Sequence, residues 1–278
     1  MSTNSVRGGS VLLTLYGSVA RGSFRRYATY RASILAGAFT NTVFGFILSY
    51  TYLALWHARP DLGGYDATGA VTYIWISQAL IAPVCVWGGG FQDDFQDRVR
   101  NGDIAIDLYR PVDLQSWWLA TDLGRAALQL ATRGVLPLVA GAAVFRLRLP
   151  EDGRVWAAFL LSVGLAVVVS FAFRYLVSLT GFWLMDSNGV RSLASILGVF
   201  FSGKLLPITL FPGALGALAR VLPWSAMVQI PCDVLLQQRT GAALATGLGF
   251  QALWALLLLA AGRAVQGLAT RRVVVQGG

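Results

Sequence analysis

FQDDFQDRVRNGDIAIDLYRPVDLQ, residues 91–115, stands between one apolar run at 68–90 and a second that begins near Ala126. It carries Asp93, Asp94, Asp97, Asp103, Asp107 and Asp113, six of the chain's 13 acidic residues, beside Arg98, Arg100 and Arg110. Charge at this density is too costly for hydrocarbon, so the block needs water or a protein partner. The runs that flank it are the opposite, and that contrast decides the fold. Hydrophobic residues make up 56% of the chain, charged residues 13%, and mean hydropathy is +0.61, against roughly 45–50% and about 25% for ordinary soluble domains. The chain reads as an all-α polytopic membrane protein.

A crossing of a hydrocarbon core of about 30 Å needs about 20 apolar residues. Six runs are long enough: 32–56, 68–90, about 126–145, 155 to about 185, 192–212 and 242–262. Six crossings return both termini to one side. On that side lie 13 of the 22 Lys and Arg residues, including Arg21, Arg25, Arg26 and the arginines of the polar block; seven lie opposite, and Arg133 and Arg174 fall inside spans. The positive-inside rule then puts both termini and the block in the cytoplasm of a cell (inner or plasma) membrane protein. The expected division is a cytoplasmic and interfacial segment at 1–31, a six-span transmembrane domain at 32–262 and a cytoplasmic tail at 263–278.

Ahead of the first span, Leu12, Leu15, Tyr16 and Val19 recur at helical spacing, with arginines and Tyr27 and Tyr30 following. This is the pattern of an amphipathic helix lying in the interface; a basic flank serving insertion alone is the other use for it. The N-terminus has no long apolar core and no small-residue cleavage site, so no cleaved signal peptide is expected. The net charge of +9 is scattered over span ends, which suits orientation and membrane lipid rather than nucleic acid.

Few residues offer chemistry. Cys85 and Cys232 have no metal-like spacing, His57 is the only histidine, and a zinc site wants three or four ligands; no metal site and no catalytic residue are expected. GVFFSGKL at 198–205 imitates a phosphate-binding loop, but Leu205 stands where the hydroxyl residue belongs and no strand precedes it. Nucleotide binding by this chain is not expected. Arg133 and Arg174 lie near the ends of their spans, where long stems let guanidinium groups reach headgroups, and both read as anchors. Lys204, the only lysine, lies beyond the midplane of the fifth span, facing either a translocation path or the outer interface. After it, Pro207, Pro212, Pro223 and Pro231 with Gly203, Gly213 and Gly216 break an apolar stretch; such breaks at membrane depth require protein cover. Short helices dipping into the outer leaflet are expected at 205–235.

Within the polar block, Asp93, Asp94 and Asp97 precede Arg98 and Arg100, acids toward the positive end of a helix and bases toward the negative end, and Asn101-Gly102 is a helix stop. Ile104, Ile106 and Leu108 offer apolar contacts. Pro111 opens a second helix, with Trp117 and Trp118 at an interface, the two lying across the inner face.

At these residues a resemblance enters. RNGDIAIDLYRPVDLQSWWLATDLGRA (100–126) is similar to the segment after the second span in type 2 ATP-binding cassette permeases, in the subfamily related to viologen and drug exporter permeases, with its Gly, apolar-Asp step and Leu-x-Arg-Pro. FSGKLLPITLFPGALGALARVLPW (201–224), with Pro231, resembles the stretch between that family's fifth and sixth spans. The resemblance implies an exporter permease subunit for small amphiphilic or cationic compounds. It implies a second, often non-identical permease as partner and two separate ATPase subunits that hold ATP and magnesium, with no cofactor on this chain. It implies a coupling helix at Phe91, Asp93, Asp94, Phe95, Asp97 and Arg98, followed by Gly102, Asp107, Leu108, Arg110 and Pro111, seated in a cleft of the ATPase. A translocation path at the permease interface is then expected among Asn41, Thr42, Phe44, Phe46, Ser195, Phe200, Phe201 and Lys204, for most of which packing between spans is an equally good use. A secondary transporter would be expected to show internal repeats and intramembrane carboxylates for ion coupling. A membrane-embedded lipid-modifying enzyme or assembly factor would need a polar cluster at one face.

Overall fold

A computed structural model describes residues 3–276 apart from 61, 185 and 186, with side chains described over 11–271 except at those three positions; Met185 and Asp186 therefore lie outside the described residues. The secondary structure among them is helical throughout. The N-terminal helix α1 (Thr3–Ala28) breaks at Thr29-Tyr30 and leads into α2 (Arg31–Ala58). Then come α3 (Ala67–Val84), α4 (Gln92–Asn101), α5 (Ile104–Tyr109), α6 (Leu114–Gln129), α7 (Val135–Val144) and α8 (Gly153–Leu179). The chain ends with α9 (Asn188–Phe201), α10 (Gly213–Val221), α11 (Gln229–Leu235) and α12 (Gly241–Gln276).

Among the described residues, five stretches are long and apolar enough to cross a membrane: Arg31–Ala58, Ala67–Val84, Leu114–Val144, Gly153–Phe182 and Gly241–Arg271. The run expected as a fifth span, 192–212, instead forms the 14-residue helix α9, which at 1.5 Å per residue reaches about 21 Å. Past Phe201 the backbone leaves the helix, with Gly203 in the left-handed region (φ +86°) and a single 3₁₀ turn at Ile208–Leu210. The sequence's long apolar stretch concealed this change because Ser202 and Gly203 are small and Leu205 and Leu206 are as greasy as the helix before them.

Two further boundaries differ from the sequence reading. The second span stops at Val84, not Gly90: Cys85 takes a left-handed conformation, and Gly88, Gly89 and Gly90 all have positive φ. The segment expected to lie across the membrane face before the third span is instead the beginning of that span. Asp113 caps it, accepting from Ser116 N at 2.8 Å, and α6 runs through a π turn at Leu130–Gly134 into α7. At the other end, α12 continues beyond Gly262 as far as Gln276, within the expected tail.

The helices meet through close contacts of small residues, the usual device where hydrocarbon on all sides removes the hydrophobic drive for association. Trp75 of α3 lies on Gly45 of α2 and Gly141 of α7; a Cβ at those glycines would sit 2.6 and 2.2 Å from its ring. Opposite, Gln251 of α12 hydrogen-bonds Ser162 of α8, donating to its carbonyl at 3.1 Å and to Ala226 O at 2.8 Å.

The non-helical backbone after α9 is covered as backbone at this depth must be. Tyr73 Oη donates to Gly203 O (2.7 Å) and Tyr52 Oη to Leu205 O (2.6 Å), while Gln229 Oε1 accepts from Ile208 N (2.7 Å) and Tyr73 Oη (2.9 Å). The Gln229 amide donates to Asp233 Oδ1 (2.7 Å) and Tyr65 Oη (3.1 Å), and Arg239 reaches Asp233 Oδ2 at 3.2 Å. Short helices between the fifth and sixth apolar runs are thus present, and α11 is buried along its whole length.

The broken end of α3 is held by charge. Arg125 donates to Ala82 O and Pro83 O, both at 2.8 Å, and to Asp122 Oδ1 at 2.7 Å. Arg174 of α8 donates to the other oxygen of Asp122 at 2.6 Å and to Gly89 O at 3.0 Å. Ser170 hydroxyl donates to Val84 O. Asp122 is 0% exposed, Arg125 3% and Arg174 4%. Arg174 is therefore not the headgroup anchor expected from its position, since protein surrounds its guanidinium.

Removing one member of a buried ionic cluster costs about 3–5 kcal/mol because the remaining charges lose their partner. Asp122→Ala is expected to lower the thermal midpoint of the detergent-purified protein or abolish its recovery. The double variant Asp122→Ala with Arg174→Met should recover part of that loss, read on the same melting curve. Gln229→Leu, which strands Ile208 N–H, is expected to cost about 1–3 kcal/mol by the same measurement.

Candidate functional site: the polar hairpin α4–α5

Residues 91–113 form two short helices that meet at Gly102. Gly102 adopts φ +82°, the left-handed conformation that ends helices and that residues with a Cβ adopt at a cost. Asp93 and Asp94 lie in the first turn of α4 and Arg98 and Arg100 in its last, the order that the helix dipole favours.

One side of the hairpin is rooted in the membrane helices. Phe91 and Phe95, one turn apart, are 1% and 0% exposed. Phe91 packs on Phe171 (ring centroids 5.0 Å) and Trp118 (5.8 Å), and Phe95 on Trp118 and Tyr175, both at 5.7 Å. Ile104 of α5 and Leu114 of α6 close the same cluster. Burying an aromatic side chain of this size is worth roughly 1.5–3 kcal/mol, so α4 is seated firmly. These two phenylalanines, grouped by sequence with the partner-facing residues, are occupied within the chain.

The acids of the first turn are also engaged. Asp94 forms a two-pronged ion pair with Arg26 of α1 at 2.7 and 3.1 Å, and that carboxylate holds the Arg26 guanidinium above its ordinary pKa. Asp93 pairs with Arg191 at the start of α9. Gln96 Oε1 accepts from Ser187 Oγ at 2.9 Å, and Gln92 donates to Arg174 O at 3.4 Å. The hairpin is therefore tied to α1, α8 and the entry to α9 at once.

The motif residues hold the two helices together. Asp107, 6% exposed, takes a two-pronged ion pair from Arg98, with Nη2 to Oδ1 at 2.9 Å, and a second pair from Arg110 at 3.3 Å. Leu108 packs against the aromatic cluster. Arg110 lies over the Trp117 ring at 5.5 Å in extended conformation (φ −67°, ψ 140°), which the following Pro111 requires. Pro111 is exposed. Each of Gly102, Asp107, Leu108 and Arg110 thus has a structural task in the bend.

What the hairpin leaves outward is Asp97, Arg100 and Asp103, with Ile106 at 58% and Tyr109 at 91% exposure. Sequence reasoning missed Tyr109 and treated Ile106 as an inward contact like Ile104. A helical wheel over residues 104–109 separates Ile104 and Leu108 from Ile106 and was the signal available.

Within this chain most of the residues expected along a translocation path have packing or hydrogen-bond partners. Asn41 is buried and donates to Gln78 O at 3.4 Å, and Thr42 donates to Ala38 O in its own helix. Phe46 packs edge-on against Trp75 at 5.1 Å, and Phe201 stacks on Trp224 at 5.8 Å. Ser195 lines a crevice with Arg191 and Gly198. Lys204 is 6% exposed, its Nζ 5.7 Å over the Trp87 ring. Only Phe44 and Phe200, at 53% and 42%, face outward. The 198–205 segment that imitates a phosphate loop is the end of α9 and the turn after it. Among the described residues no group of three His, Cys, Asp or Glu gathers as metal ligands would.

Comparison with known proteins agrees with this architecture. No curated protein matches the sequence. The family model described as ABC-2 family transporter protein matches residues 36–277, from the first span to the last helix and including the whole hairpin. With five helical stretches among the described residues fit to cross a membrane, the chain is a multi-pass membrane protein and belongs to the ABC-2 family of transporter proteins.

Proposed function

We propose that this chain is the permease subunit of an ABC exporter, driven by ATP that separate ATPase subunits hydrolyse, and that α4–α5 is its coupling element. The observation that carries this reading is the two-sidedness of the hairpin. Its inner side is tied to α1, α6, α8 and α9, while its tip presents Ile106 and Tyr109, uncovered, among Asp97, Arg100 and Asp103. Aromatic anchors ringed by polar groups are the usual centre of a protein interface.

In mechanism, closure of the ATPases around ATP pushes on the tip. Because α4 and α5 are joined by Arg98, Asp107 and Arg110, the hairpin moves as a unit. It carries the third and fourth spans through the buried contacts of Phe91 and Phe95 with Trp118, Phe171 and Tyr175, while α1 and α9 shift at their surface ion pairs Asp94–Arg26 and Asp93–Arg191, and so favours the outward-open over the inward-open arrangement. On the count of Lys and Arg residues the hairpin and both termini lie in the cytoplasm, α9 and the tyrosine-covered segment after it together making the fifth of six crossings. Phe44 and Phe200 are the members of the expected path left free to meet a second permease, identical or not; small amphiphilic or cationic compounds are the cargo that the resemblance suggests.

The tip and the lock make separable predictions. Ile106→Asp with Tyr109→Asp alters only exposed side chains, so the protein should fold normally. Its retention of ATPase subunits on copurification should fall roughly tenfold or more, as truncating interface anchors does. Asp107→Arg breaks the lock; ATPase subunits should still bind, with ATP hydrolysis in the purified complex no longer matched by transport. Normal copurification and coupling after residues 91–111 are scrambled would sink the assignment.

A further inference from the structure

We propose that Arg133 and its surroundings form a binding site for the phosphate of an anionic phospholipid, in the leaflet on the side of the polar hairpin. A cavity of about 350 Å³ opens between the start of α2, the end of α3 and α6, with Tyr30, Ile34, Trp87, Arg125, Gln129 and Arg133 among its lining. Tyr30 and Trp87 are interface residues by type, and they sit where α1 turns into α2 and where α3 has just ended. The cavity is therefore at headgroup level with an apolar wall behind it.

Its charge is uncompensated. Of the carboxylates nearby, Asp94 is paired with Arg26 and Asp122 is held between Arg125 and Arg174, so that the Asp122 trio keeps one net positive charge. Arg133 adds another. Among the described residues it makes no ion pair, and its Nε is buried without a hydrogen-bond acceptor. No Asp or Glu lines the cavity. A guanidinium within a span is normally paired or at a water-filled space, and a phosphate oxygen pair is the planar acceptor that its two-pronged donor geometry fits. Basic pockets between membrane helices near an interface hold lipid headgroups by this chemistry.

The site is shaped rather than accidental. The guanidinium lies against Gly37 of α2, where a Cβ would come within 2.2 Å of its Cζ and Nε. Arg133 also belongs to the π turn at Leu130–Gly134, a local bulge of a kind frequent at functional positions. An expected headgroup anchor thus becomes a residue held inside a protein-walled pocket.

The test uses the full chain purified in neutral detergent, without ATPase subunits, so that failure of the coupling assignment would not affect it. Binding is read by native mass spectrometry and by thermal shift, with phosphatidylglycerol, phosphatidylcholine or inorganic phosphate as probe. Phosphatidylglycerol should be retained and should raise the melting temperature, phosphatidylcholine much less. Arg133→Gln should weaken phosphatidylglycerol binding about tenfold, the loss of one charged contact, while Arg220→Gln on the opposite side leaves it unchanged. Equal binding of the two lipids, or undiminished binding by Arg133→Gln, would overturn the proposal. Full competition by inorganic phosphate would reassign the site to free anions and overturn the lipid source. If Arg133→Gln does not fold, Gly37→Ala displaces the guanidinium without removing its charge; undiminished binding there has the same meaning.

Discussion

The Asp122 carboxylate is the point on which the membrane and polar parts of this molecule turn. It pairs with two arginines from different helices; Arg125 donates to the Ala82 and Pro83 carbonyls where α3 breaks, and Arg174 to the Gly89 carbonyl in the turn that follows. A helix that ends inside protein leaves its last carbonyls orphaned unless side chains take their place. Here the replacement donors are ionised, and ionised donors need a counter-charge at that depth. One aspartate supplies it for both, so the end of the second span, the third span and the fourth are joined at one place. The Gly88–Gly90 turn then leads directly from this junction into α4.

That arrangement explains why the hairpin can be both polar and rigid. Its rigidity comes from Phe91 and Phe95 buried among Trp118, Phe171 and Tyr175, immediately beside the charged junction; Arg174 lies 5.2 Å over the Phe91 ring. Apolar seating and ionic bracing thus act at adjacent positions. The face turned away from both is free of structural duty, which is what a surface that must dock a partner requires.

The class of fold, the amphipathic first helix and the helix-stop at Gly102 were legible in the sequence because each rests on local pattern: composition, periodicity and turn chemistry. The junction was not. Asp122 and Arg125 are one turn apart, but Arg174 lies 52 residues beyond Asp122 in sequence, and nothing in any one span marks its partner. The early end of α3 was hidden for a related reason, since Val86 and Trp87 continue the apolar run past the last helical residue. In the same way, Leu205 and Leu206 hid the end of α9. Hydropathy reports what can enter a membrane, whereas helix ends depend on which donors lie nearby in space. Of the residues singled out in the hairpin, the motif positions proved to be those that shape the bend, and the exposed Tyr109 went unnoticed because an aromatic side chain in a polar loop ordinarily reads as packing.

The distribution of bracing contacts also limits how the hairpin could move. Its ties to α1 and α9 are ion pairs at the protein surface: the Arg26 side chain is 56% exposed and that of Asp93 69%, and such pairs are individually weak and readily exchanged. Its ties to α6 and α8 are buried aromatic contacts that resist separation. A force on the tip would therefore carry the third and fourth spans along with the hairpin as one body, and the slip would occur at α1 and α9. The short helix α9 is the better placed of the two to respond. It stands between a surface ion pair at one end and a non-helical, tyrosine-covered segment at the other, so it can tilt without breaking a continuous helix.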